Sequence, residues 1–192
     1  MRSFPLAAAL LVAATGSHAQ TPAAPASQPP RLAFTNLPFE DGGIIPEKYT
    51  NNVPATPGTS FPLSWINTPA GTQSFVLLMN DVDANNFRNM SGNEHWLVFN
   101  IPATATSLPA GLPKVPQLPD GAIQPRRGTA PNFVHGYVGP AAPPPNYHHY
   151  SIELYALDIK LPLDANATRA EVTAAANGHV LAKTSFVGRS HR

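Results

Sequence analysis

Two aspartates, two histidines and a tyrosine stand at the ends of apolar runs in this chain. Asp81 and Asp83 finish SFVLLMNDVD, His95 opens HWLVFNIP, and His148 and Tyr150 open the run that ends at Asp158. Imidazole and carboxylate in that position suit recognition of a phosphate or carboxylate: a histidine proton and backbone N–H groups donate to the anion's oxygens. A carboxylate beside a bound anion is unfavourable unless it is neutralised or itself accepts hydrogen bonds. Asp81 is therefore expected to hold a histidine rather than touch the ligand. An imidazole that titrates near ~6.5 also suits acid–base catalysis. Two imidazoles and a carboxylate are enough for zinc or iron, but the spacings of the H-E-x-x-H and H-x-x-E-H motifs are absent, and neither a metal nor a cofactor is expected. No G-x-S-x-G elbow or phosphate-cradling glycine loop occurs, which removes serine hydrolases and P-loop enzymes. The chain has no cysteine, which removes thiol chemistry and disulfides.

These residues need elements to position them. Phe75 to Met79 is an unbroken apolar run, expected as a strand covered on both faces. If it persists, Asp81 and Asp83 share a face with Phe75, Leu77 and Met79; a polar turn of Asx type is the plainer alternative. By alternation His95 faces the layer of Leu97, Phe99 and Ile101. Tyr150, Ile152, Leu154 and Ala156 alternate with Ser151 and Glu153, which predicts another strand. Ahead of it Gly136 to Pro145 makes a stiff loop that delivers His148 to the strand's mouth. LAFTNL (Leu32–Leu37), FPLSWI (Phe61–Ile66) and Lys183–Val187 are further expected strands, and Ile44-Ile45-Pro46 a short edge. Thr168 with Glu171 forms a capping box before a helix over Thr168–Ala176, stopped by Asn177-Gly178. Pro102 to Val134 lacks periodicity and is expected to wrap the sheet and feed the Gly136 loop. His179–Ala182 reads as a turn, and Gly188–Arg192 has no readable role.

The chain has 192 residues with a formal charge of +1, and only 12% are charged. That balance, without a basic stripe, argues against nucleic acid as a partner. With 23 prolines and 13 glycines, short strands and long loops are favoured over a helix bundle. Residues 1–19 read as a secretory signal peptide: Arg2, the apolar PLAAALLVAA, then Ser17-His18-Ala19 with cleavage before Gln20. The apolar run is too short for a stable membrane span. Residues 20–30 are a Pro/Ala-rich linker, and residues 31–192 a single domain. The protein is expected in the periplasm or outside the cell. The sequons at Asn89 and Asn166 are treated as chance.

The ordered set SFVLLMNDVDA, HWLVFNIPA and GYVGPAAPPPNYHHYSIELYALD resembles the phosphatidylethanolamine-binding protein family, and most closely its bacterial Raf-kinase-inhibitor-like group. The similarity extends from Phe34 to Arg189. It implies a mainly β fold: a central antiparallel sheet, a second smaller sheet and a few peripheral helices. It also implies a small anion-accepting pocket lined by Asp81 with Asp83, His95, Gly139, Pro140, Pro143, Pro144, His148 and Tyr150. Three departures stand out. Val82 and Asn85 replace the prolines of the family's acidic loop, and His149 replaces an arginine, removing a permanent cation. No cysteine follows Tyr49-Thr50, where many bacterial relatives carry one.

The leading expectation is a non-catalytic binding protein for a small anionic or phosphorylated ligand. A His-dependent acid–base enzyme acting on a small molecule is one alternative. Inhibition of a protein partner, a kinase or protease, is the other, and it rests on the family resemblance.

Overall fold

The structure is a computed structural model that describes residues 31–53, 57–84, 92–128 and 132–192. The expected signal peptide and linker, Asn85 and the sequon at Asn89 lie outside the described residues.

Eight strands among the described residues build two sheets. β1 (Ala33–Thr35), β3 (Leu63–Ile66) and β6 (Ser107–Leu108) make a small antiparallel sheet in the order β1-β3-β6. β2 (Gly43–Ile44), β4 (Ser74–Asp81), β5 (Asn93–Pro102), β7 (His148–Leu157) and β8 (Val180–Ser190) make the large one, ordered β2-β8-β7-β4-β5. All its pairings are antiparallel except β2 with β8, which is parallel.

β4 sits between β7 and β5, and its apolar run is divided between two cores. Phe75, Leu77 and Met79 join Phe61, Trp65 and Phe186 in the larger cluster, between the two sheets. Val76 joins Leu97, Phe99, Leu157 and Val172 in a second cluster, with Leu78 packed against it. Val172 belongs to α1 (Arg169–Ala176), which covers the other face of the large sheet. Helix α1 begins at the expected capping box: the Thr168 side chain accepts from the Glu171 backbone and the Glu171 carboxylate accepts from the Thr168 backbone. No helix among the described residues is long and apolar enough to cross a membrane.

Aromatic rings stiffen the larger cluster beside the site. Phe61 meets Phe39, Tyr49, Trp96 and Tyr137 edge-on, with centroids 5.5, 5.6, 5.9 and 5.6 Å away. Below them the long segment after Pro102 is fastened by Gln124, a fully buried side chain. Trp96 Nε1 donates to its Oε1 at 3.1 Å, and its Nε2 donates to the carbonyls of Pro113 and Val115 at 2.8 and 2.9 Å.

Three expectations need correcting. The segment read as featureless contains β6 and a backbone bridge between Ile123 and Phe99. β8 runs through both the expected turn at His179–Ala182 and the tail. Its inward positions include small or polar Ala182, Thr184, Gly188 and Ser190, which hide the alternation. At Gly188 a Cβ would fall 2.5 Å from Ile45 and 2.6 Å from Phe39, so only glycine lets β8 close against that corner.

The third correction concerns β5. Leu97 and Phe99 face the helix-covered core, while Trp96, Val98 and Ile101 face the other. Register shifts against β4 fall between Phe75 and Leu77 and between Met79 and Asn80. Each bulge changes the phase of the strand, so simple alternation misplaces His95.

Candidate functional site

Asp81 is the last residue of β4 and is buried, directly opposite Tyr150 of β7. A buried carboxylate must be paired or hydrogen-bonded, and Asp81 is engaged at both oxygens. Oδ1 accepts from the backbone N–H of Asp83 and of Ala84, each at 3.0 Å. Oδ2 accepts from His148 Nδ1 at 2.8 Å. The two sequence readings of Asp81, turn residue and histidine holder, describe the two oxygens of one side chain. Because a carboxylate only accepts, Nδ1 of His148 carries hydrogen. Its Nε2 is left for another partner, on a ring that is 20% exposed.

His95 reaches the same region through the β5 bulge. In register, Trp96 pairs with Met79 and Glu94 with Asn80, so His95 is the extra residue. It turns to the same side as Trp96 and packs edge-on against Tyr150, with centroids 5.1 Å apart. Its Nδ1 donates to the Val138 carbonyl at 2.8 Å, and its own carbonyl accepts from Val138 N–H at 2.9 Å. This reciprocal clamp fixes the tautomer. Nε2 then has a lone pair, which accepts from Asn93 Nδ2 at 3.2 Å. Burial lowers the His95 pKa to about 4, helped by the charge of Arg127 and opposed by the Val138 carbonyl and Asp81. At neutral pH His95 is uncharged, and its one ring N–H is given to the Val138 carbonyl.

Tyr150 is fully buried, yet its hydroxyl has no hydrogen-bond partner of ordinary geometry among the described residues. The Asp81 carboxylate and the Ala141 backbone lie near it, and burial together with the Asp81 charge raises its pKa above the usual phenol value. The hydroxyl is thus kept protonated.

The remaining residues singled out from sequence sit differently. Asp83 lies beyond the end of β4 and is exposed; its Oδ2 accepts from His149 N–H at 2.6 Å and His149 Nδ1 at 2.9 Å. Partial burial raises the Asp83 carboxyl, but the His149 hydrogen bonds outweigh it and bring the pKa below the usual value. Asp83 and His149 form a separate surface pair. Gly139 and Pro140 are buried anchors: a Cβ on Gly139 would lie 2.8 Å from Tyr49 O and from Asn51 Oδ1, and Pro140 O accepts from Asn51 N–H at 2.7 Å. Pro143 and Pro144 occupy the exposed outer part of the loop. Among the described residues no three His, Cys, Asp or Glu side chains are placed to hold a metal ion.

Other participants went unread. Val138 and Ala141 contribute through their backbones, which leave no residue-type signal. Asn93 opens β5, and the end of the chain carries no motif. In the structure Arg192 N–H donates to Ala142 O at 2.9 Å, Asn52 Nδ2 donates to His191 O at 2.9 Å, and the His191 ring lies edge-on to Tyr147 at 4.1 Å. The end of β8 and the residues after it flank the site loop.

The family model described as phosphatidylethanolamine-binding protein matches residues 35–191. A UPF0098 protein of Methanothermobacter thermautotrophicus is 37% identical over 154 residues, covering 80% of this chain and 95% of its own. The crystal structure of a phosphatidylethanolamine-binding protein homologue from Chlamydia trachomatis superposes with a TM-score of 0.70 at 29% identity, over 84% of this chain and 98% of that one. Escherichia coli YbcL, described as a member of the mammalian PEBP family, superposes with a TM-score of 0.67 at 28% identity, over 85% and 99%.

Proposed function

The chain belongs to the phosphatidylethanolamine-binding protein family, and from that premise we propose that it is an exported, non-catalytic binding protein for a small anionic or phosphorylated ligand. The ligand sits against Tyr150 and His148, with Asp81 orienting the imidazole and His95 forming a neutral wall.

The observation that carries this reading is the buried hydroxyl of Tyr150, which lies by the Asp81 carboxylate and the Ala141 backbone without a hydrogen bond of ordinary geometry to either. A buried donor without an acceptor costs about 1–3 kcal/mol, and such groups in native structures call for an explanation. A ligand oxygen supplies the acceptor. A proton on His148 Nε2 adds a charge-assisted donor, with the Asp81 carboxylate behind it balancing the charge. Among the described residues no serine nucleophile is paired with the Asp81–His148 dyad, and the chain has no cysteine, which supports binding better than group transfer.

Titration calorimetry with O-phosphorylethanolamine and with inorganic phosphate tests the proposal. Saturable binding, with the compound recovered chemically unchanged, is expected. The Asp81–His148 pair also has the geometry of an oriented general base, so the enzyme reading has its own outcome: turnover that disappears in His148→Ala.

A further inference from the structure

The face of the large sheet opposite the histidines carries a second group of charged side chains. The bulge that turns His95 and Trp96 to one side leaves Glu94 on the other, in register with Asn80. Helix α1 lies over this face, and Arg169 Nη1 donates to Asn80 Oδ1 at 2.6 Å. The third wall is built on Arg127 and Val134, tied together by backbone hydrogen bonds of 2.8 and 3.0 Å. These elements enclose a groove of about 960 Å³, within the size range of small-molecule sites.

Arg127 faces this groove, and its Nε is buried with no hydrogen-bond acceptor among the described residues. Glu94 is beside it, but the two do not close as an ion pair; the ion pairs among the described residues all join a histidine to an aspartate. Burial raises the Glu94 carboxyl despite Arg127 and Arg169, and burial lowers Arg127 despite Glu94. Both groups carry a desolvation cost that their mutual attraction does not remove. Among the described residues the charged side chains lining the groove are Arg126, Arg127, Arg169 and Glu94; Arg169 is engaged by Asn80 and Arg126 feels the Glu171 carboxylate, so the donor left for an anion is the Arg127 Nε–H. Its flanks are apolar: Phe133 and Val134 are 39% and 43% exposed, and Ala170 and Ala174 face them from α1. Arg126 lies over the Phe133 ring at 4.6 Å, which fixes that wall.

We infer that this groove binds a small organic acid, its carboxylate held by the Arg127 guanidinium and its apolar body lying between Phe133 and the Ala170–Ala174 side of α1. The planar fork of arginine matches a carboxylate through two parallel N–H donors, one of them the orphaned Nε–H. Glu94 opposes the ligand's charge and sets an upper limit on affinity. This site is on the other face of the sheet from Asp81 and His148 and does not rest on the function proposed above.

The test is an amide-shift NMR titration of the protein with 3-phenylpropanoate, using the uncharged 3-phenylpropanamide as control. Saturable shifts are expected at Arg127, Phe133, Val134 and Ala170–Asn177, with Asp81, His148 and Tyr150 unmoved and the amide inert. Arg127→Gln should weaken binding roughly tenfold or more. Glu94→Gln should tighten it roughly two- to fivefold, a change of sign that damage to the fold does not produce. If Arg127→Gln fails to fold, the acid–amide contrast and Glu94→Gln decide the matter. Equal binding of acid and amide, shifts confined to the histidine face, no saturable binding, or an unchanged affinity in Glu94→Gln would overturn the inference.

Discussion

His95 and Trp96 are adjacent in sequence and point to the same side of the large sheet, because a bulge opposite Met79 and Asn80 inserts one extra residue into β5. Bulges commonly re-aim side chains near functional sites. Here one backbone irregularity both creates the wall beside Tyr150 and consigns Glu94 to the opposite face. The consequences can be measured.

The first concerns stability against pH. In the unfolded chain His95 titrates near its ordinary value of 6.5, but in the folded protein it stays neutral down to about 4. Between those values the unfolded state binds the additional proton, so stability falls as pH is lowered through that window. The loss from this one group reaches up to about 3 kcal/mol. Denaturation of wild type and His95→Gln at pH 7 and pH 4.5 should show a shallower pH slope in the variant. Identical slopes would mean that His95 charges as readily folded as unfolded.

How much of this was legible from sequence depends on where the information sits. The apolar run Phe75–Met79 announces a doubly covered strand because both faces must be apolar, and Thr168 with Glu171 announces a helix start because the cap is made of side chains. The ends of β4 and β7 were readable for the same reason, and with them the neighbourhood of Asp81, His148 and Tyr150. The orientation of His95 was not, since a bulge is a backbone event with no residue signature. β6 is too short to show a period, and the inward face of β8 is built from small and polar residues. Asp83 falls two residues beyond the strand whose alternation would have carried it inward.

Removing the orienting carboxylate should separate fold from binding. Asp81→Asn keeps a side-chain oxygen for the Asp83 and Ala84 N–H groups but loses the charge behind His148. Affinity for phosphate should fall about 10- to 150-fold, the range for a charge-assisted hydrogen bond of roughly 1.5–3 kcal/mol. Unchanged calorimetric affinity in a folded variant would reduce Asp81 to a turn residue.

Gln124 offers a test of the scaffold. Its amide satisfies Trp96 Nε1 and the carbonyls of Pro113 and Val115 inside the protein. Gln124→Leu leaves those groups without it and should cost about 3 kcal/mol or more in chemical denaturation. A loss below about 0.5 kcal/mol would show that water replaces the amide there.

Export is checked by mass. Protein recovered from the periplasmic fraction or the medium should begin at Gln20 and lack residues 1–19. Full-length protein confined to the cytosol would contradict the signal-peptide reading.

The central claim, that a ligand completes the hydrogen bonding of Tyr150, is tested most directly by Tyr150→Phe, with stability and phosphate affinity measured on the same preparation. Removing an unpartnered buried hydroxyl should leave stability unchanged or raise it by up to about 1 kcal/mol. Removing the ligand's donor should weaken phosphate binding by about 5- to 10-fold. Opposite signs in the two measurements are the predicted result. A destabilised variant with unchanged affinity would show that the hydroxyl is satisfied within the protein and that the ligand does not need it.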